Sequence, residues 1–111
     1  MKPLAKVAAA GVAGLLAMAA APSAAAPEPR VHTVVMDRMI FGPTPSSVRP
    51  GDVILWVNRD MFRHTATARD GSFNVDLAPK ESARTVIARA GVIDFYCKYH
   101  PGMKGRLNVV R

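Results

Sequence analysis

A chain of 111 residues has room for one small domain, and its single cysteine excludes an internal disulfide. The formal net charge of +7 is spread without a long basic run, and few aromatics stand among the basic residues. Nucleic-acid binding therefore has little support, and a moderately basic surface that docks acidic partners is the better reading.

The chain opens on two lysines within residues 1–6, followed by an unbroken run of Ala, Val, Leu, Met and Gly over 7–21. Small residues then lead into the Pro-Glu-Pro-Arg of 27–30. Charged start, short apolar core and small-residue exit are the parts of a secretory signal. We place it at residues 1–25, with cleavage after Ala25 and Ser23 as the other small residue. The run is short for a membrane span and no second one follows, so the mature chain is expected to have no span. There is no twin arginine, which favours the general secretion route and a periplasmic destination. Residues 26–111 form the single expected domain. Losing Lys2 and Lys6 and no acid leaves it 13 Lys+Arg against 8 Asp+Glu.

From Val31 onward, short β-branched runs are broken every eight to twelve residues by Pro, Gly or Asp, as in an all-β sandwich or barrel. Residues 31–37 read as a first strand and 46–49 as a short edge piece between prolines. Residues 53–58 (VILWVN) are apolar on both faces and read as a central strand, with Trp56 in the core. Residues 63–69 make the next strand, and Asp70-Gly71 turns it into 72–76. Residues 83–89 and 92–97 are expected to pair as a hairpin across Ala90-Gly91. The two-residue period puts Ile93, Phe95 and Cys97 on one face, and Leu107 and Val109 on one face of the last strand. No helical periodicity follows the signal.

The chemistry is concentrated in residues 97–103 (CKYHPGM). Thiolate and thioether are soft donors that select copper(I), and imidazole suits copper in either oxidation state. Pro101 and Gly102 force a turn, so Cys97, His100 and Met103 can converge on one point. A free thiol in an exported chain would oxidise, and metal ligation protects it. Two histidines with one cysteine and a weak axial methionine make a copper electron-transfer site, so a second histidine is required. His64 begins a strand and would be held still. His32 has no chelating neighbour and reads as a solvated strand residue. Met36, Met39 and Met61 read as packing residues, Met61 and Phe62 alternatively as an apolar rim beside the site.

His64 with Cys97-x-x-His100-x-x-Met103 resembles the type 1 copper site of the cupredoxins, and within them is most similar to the amicyanins. Asn58-Arg59-Asp60 ahead of His64, the run from His100 to Gly105, and Phe41, Pro43, Val48, Gly51-Asp52 and Trp56 carry the same likeness over residues 31–110. The resemblance implies a Greek-key β-sandwich of two sheets, with one copper at one end. Cys97, His64 and His100 would form a plane and Met103 the axial position. Asn58 would hydrogen-bond across the ligand loops, and the Thr65 N–H would contact the Cys97 sulfur. Relatives commonly carry proline before each ligand histidine, where this chain has Arg63 and Tyr99. These departures bear on the surface around the metal and on the rigidity of His100.

The implied function is that of an exported, monomeric blue-copper electron carrier rather than an enzyme. It would cycle Cu(II)/Cu(I) between redox partners such as a dehydrogenase or a c-type cytochrome. Docking at the copper end would use the basic Arg63, Lys98, Lys104 and Arg106. A copper carrier or buffer serving an oxidase or a resistance system is the alternative. An enzyme with a further copper centre would need more histidines than His32 supplies, and zinc on the same ligands would carry no redox activity.

Overall fold

The computed structural model describes residues 28–111, so the expected secretory signal over 1–25 lies outside the described residues. Short runs rich in Val, Ile and Thr suit a pleated, half-buried surface. The described residues accordingly form strands and no helix, and so nothing helical long enough to cross a membrane. The strands are β1 (Val31–Asp37), β2 (Ile40–Phe41), β3 (Val53–Asn58), β4 (His64–Ala68), β5 (Asn74–Leu77), β6 (Ser82–Val86), β7 (Gly91–Tyr96) and β8 (Lys104–Val109).

They build two four-stranded sheets, ordered β2-β1-β3-β6 and β5-β4-β7-β8. β1 and β3 run parallel, from Val31 beside Val53 to Met36 beside Asn58, and β6 pairs antiparallel on the other side of β3. β3 is thus the internal strand its two apolar faces predict. Between the sheets Trp56, Phe95, Phe41 and Phe73 form an aromatic core, with the Phe41 and Phe95 rings 4.8 Å apart and edge-on. Edge-to-face contacts suit the quadrupoles of the rings. The Trp56 indole N–H donates to Thr85 Oγ1 at 3.0 Å, so the one polar atom of that side chain is satisfied on β6.

Four expectations are corrected. The hairpin between 83–89 and 92–97 does not form, because β6 belongs to one sheet and β7 to the other. The buried Ile87 explains the switch: its N–H donates to Asp52 O and its C=O accepts from Gly51 N–H. The chain is therefore tied to the turn before β3 until Gly91, at φ 128°, starts β7. The edge piece at 46–49 is reduced to one bridge, Val48 beside Val109, which lays the segment along the edge strand β8. His32 is not solvated; its side chain is 13% exposed, and Nε2 lies 2.8 Å from Asp52 Oδ2 because the parallel register brings β1 against the turn before β3. Met36 packs in the core as expected, but Met39 and Met61 stand on the surface at 37% and 81% exposure.

Candidate metal centre

The end of β3, the starts of β4 and β8 and the loop after β7 meet at one end of the sandwich. His64 is the first residue of β4, a strand buried along its whole length, and pairs with Leu77 of β5. Cys97 follows β7 directly and continues the buried face of Ile93 and Phe95, as the period-two reading requires. Beyond it the chain folds back on itself. The Met103 N–H donates to His100 O at 2.8 Å and the Cys97 N–H to Met103 O at 3.0 Å. Pro101 and Gly102 stand exposed at the tip of this turn, while Met103 returns to the core.

The three donors meet. His64 Nδ1 and His100 Nδ1 are 3.2 Å apart, and Cys97 Sγ lies 3.8 Å from the first and 3.7 Å from the second. A first-row ion such as zinc sits about 2.0–2.1 Å from imidazole nitrogen and about 2.3 Å from thiolate sulfur. Such an ion fits between these three atoms without moving them. His64 and Cys97 are fully buried and His100 is partly exposed, so the site is closed on all sides except the His100 edge. The described residues contain no other group of three His, Cys, Asp or Glu with this convergence. His32 is not part of it.

The surrounding hydrogen bonds hold the donors in place. The Thr65 N–H donates to Cys97 Sγ at 3.3 Å, and the Lys98 N–H donates to Thr65 Oγ1 at 2.8 Å. Asn58, fully buried, donates Nδ2 to the carbonyls of Phe62, Leu77 and Ala78 and accepts the Asp60 N–H at 2.9 Å. It thus stitches the loop before His64 to the end of β5. Phe62 stands edge-on to His100 at 6.2 Å, so with the exposed Met61 it forms the apolar rim.

Asp60 is the residue that sequence reasoning missed. Its Oδ2 accepts from His64 Nε2 at 2.9 Å and from Met39 N–H at 2.9 Å, and Oδ1 accepts from Met61 N–H at 3.1 Å. The His64 bond, then the Met39 N–H, keep this carboxyl below its ordinary value of 3.8 against the opposing effect of burial. An ionised acceptor at Nε2 fixes that nitrogen as the protonated one and leaves the Nδ1 lone pair free toward the other donors. The hints in the sequence are its place in the Asn58-Arg59-Asp60 run and its spacing as an acid four residues before the histidine.

The charged surface is less basic than the sequence suggests. Arg63 Nε donates to Asp76 Oδ1 and Arg106 Nε to Asp94 Oδ1, each at 2.7 Å, whereas the exposed Lys98 and Lys104 form no ion pair among the described residues.

A family profile described as the cupredoxin-like domain matches residues 7–109. Amicyanin of Paracoccus versutus is 27% identical over 95 residues, covering 79% of this chain and 72% of that protein. Among solved structures, a methionine-to-alanine mutant of amicyanin in its Cu(I) form superimposes with a TM-score of 0.63 at 22% identity, over 72% of this chain and 82% of that one. A purple cupredoxin from Nitrosopumilus maritimus gives the same TM-score at 20% identity, over 71% of this chain and 99% of its own.

Proposed function

The chain belongs to the cupredoxin-like family, and from that premise we propose that it is an exported electron-transfer protein carrying one type 1 copper ion. His64, Cys97, His100 and Met103 would hold the ion, two imidazoles and a thiolate with a weaker thioether donor. The observation that carries the reading is the convergence of two imidazole nitrogens and one cysteine sulfur within 3.2–3.8 Å, with two of the three residues fully buried. A bound copper ion supplies a one-electron couple, and no substrate bond is made or broken.

The rest is done by the protein. His64 is held from behind by Asp60, and the Cys97 sulfur accepts one backbone N–H that tempers its negative charge. Donors fixed by strands and buried hydrogen bonds change little when the charge between them changes, which favours fast electron transfer. His100 provides the edge through which the electron leaves. Around it, Met61 and Phe62 give an apolar contact surface, and Lys98 and Lys104 attract an acidic redox partner such as a dehydrogenase or a c-type cytochrome. Export follows from residues 1–25 read as a signal with cleavage after Ala25, which leaves residues 26–111 as a monomeric domain in the periplasm.

The burial of His64 and Cys97 favours a shuttle over a copper carrier, which needs ligands that a receiving protein can reach. Copper loading followed by an absorption spectrum and a chelator challenge tests the assignment. A shuttle shows an intense visible band, a reversible one-electron titration and slow loss of copper. A weakly coloured Cu(II) complex that surrenders its metal at once supports the carrier instead.

A further inference from the structure

The residues immediately before the two histidines of the site are bound to the same carboxylate. Arg63 Nε donates to Asp76 Oδ1 at 2.7 Å, and the Tyr99 hydroxyl donates to Asp76 Oδ2 at 2.7 Å. Asp76 lies in β5, beside Thr65 in the antiparallel register, so it stands on the strand that flanks His64. One carboxylate thus spans three segments: the approach to β4, β5 itself, and the ligand loop.

The ligand loop needs such a tether. The Lys98 N–H is held by Thr65 Oγ1, but from Tyr99 to Met103 the backbone is closed on itself through the Met103 N–H to His100 O bond, and Pro101 has no N–H to give. Its tip is exposed and His100 is only partly covered. Among the described residues and apart from the His100 ring, two hydrogen bonds tie this stretch to neighbouring strands: the Lys98 N–H to Thr65 Oγ1 at its start, and the Tyr99 hydroxyl to Asp76, the one made by a side chain of the stretch itself. Neither Arg63 nor Tyr99 is a proline, so the backbone before each histidine lacks the ring that would fix φ. The side chains at those positions restrain it from outside.

We propose that Asp76 is a positioning residue for the metal centre, fixing the ligand loop through Tyr99 and the approach to His64 through Arg63. The inference rests on the copper reading for its consequence and on the Asp76 contacts alone for its mechanism. Tyr99 and Asp76 are about half and about one-third exposed respectively, so water competes for these bonds and the clamp is of moderate strength. Its effect is local: it limits excursions of residues 98–102 rather than the stability of the sandwich.

The Arg106–Asp94 pair supplies an internal control, because it has the same Nε–Oδ1 distance of 2.7 Å, similar exposure and no contact with the ligand loop. Amide hydrogen exchange of the metal-free protein and Cu(I) loss to a chelator are measured for Asp76→Ala, Tyr99→Phe, Asp76→Glu and Asp94→Ala. Exchange at residues 98–102 and Cu(I) loss are expected to rise about fivefold in Asp76→Ala and Tyr99→Phe. Asp76→Glu should recover part of the loss, and Asp94→Ala should match the parent. The Cu(II) electron paramagnetic resonance spectrum should shift in the first two variants only. Equal behaviour of Asp76→Ala and Asp94→Ala, whether both match the parent or both exchange faster throughout the sheets, overturns the clamp. If the loop exchanges faster but no variant or parent binds copper, the clamp stands and the copper reading fails.

Discussion

Asp60 Oδ2 and His64 Nε2 stand 2.9 Å apart, with the histidine fully buried and the carboxylate almost so. A negative charge on the far side of a ligand imidazole stabilises the more highly charged state of whatever that imidazole binds. It also satisfies two backbone donors, Met39 N–H and Met61 N–H.

Asp60→Asn removes the charge and offers one acceptor oxygen where two are used, so an amide N–H2 must face one of those donors. The variant is expected to lose about 1–3 kcal/mol of stability, the cost of a buried polar group left unpaired. Its reduction potential is expected to rise, because Cu(II) loses more than Cu(I) when the negative charge goes. Denaturant unfolding reads the first and voltammetry the second. An unchanged potential in a folded variant would show that the carboxylate only supports the loop.

Cys97→Ala is expected to abolish the intense visible band of the Cu(II) form, since that band requires charge transfer from the thiolate. Met103→Leu is expected to keep the colour and raise the reduction potential, because a weak donor to Cu(II) is exchanged for none. Both residues are buried, at 0% and 3% exposure, so unfolding curves must accompany the spectra. A persistent band in Cys97→Ala would remove the thiolate from the site.

Of the three donors that converge, Cys97 and His100 were legible in the sequence because they fall close together, just ahead of a turn that Pro101 and Gly102 announce. The face of Ile93, Phe95 and Cys97 was legible for a similar reason: period two is a local property. The same local reasoning failed at β6 and β7. Two adjacent apolar runs around Ala90-Gly91 look like a hairpin, and only the bonds of Ile87 to Gly51 and Asp52, far back in the chain, send them to different sheets. Asp60, Asp76 and the His32–Asp52 pair were hidden likewise. Asp60 carries a weak local signal, but the Tyr99–Asp76 and His32–Asp52 contacts join residues 23 and 20 positions apart, and no periodicity encodes them.

Gly105 pairs with Phe95 across β7 and β8, and its bare Cα is where the ring lies. A Cβ there would stand 2.7 Å from Phe95 Cε2 and closer still to Cζ. Phe95 cannot retreat, since it is fully buried against Phe41 and Trp56. Gly105→Ala is therefore expected to destabilise the domain by about 1–3 kcal/mol, as overpacking does. Thermal unfolding measures it. A variant as stable as the parent would mean that the ring has room to move, and Phe95→Leu combined with Gly105→Ala should then show no rescue.

Asp52 gives the domain a defined acid limit. Burial would push its carboxyl up, but the Arg30 N–H, His32 and the Arg49 N–H outweigh that and hold it at about 2, below the ordinary 3.8. A carboxyl whose folded value is depressed stabilises the fold above its unfolded value and loses that contribution as pH falls through the folded one. The contribution, about 2 kcal/mol, is thus complete above pH 3.8 and disappears toward pH 2. Asp52→Asn removes it at neutral pH, and His32→Ala removes one of its sources. Urea unfolding from pH 7 to pH 2 should show the parent more stable than Asp52→Asn at neutral pH, with the gap closing between pH 4 and 2. The residue lies before the start of β3 and the metal centre beyond its end, about 20 Å away at strand rise. The visible band of the copper-loaded variant should therefore be unchanged. A gap that stayed constant down to pH 2 would mean that the ionised carboxyl is not what ties β1 to the turn before β3.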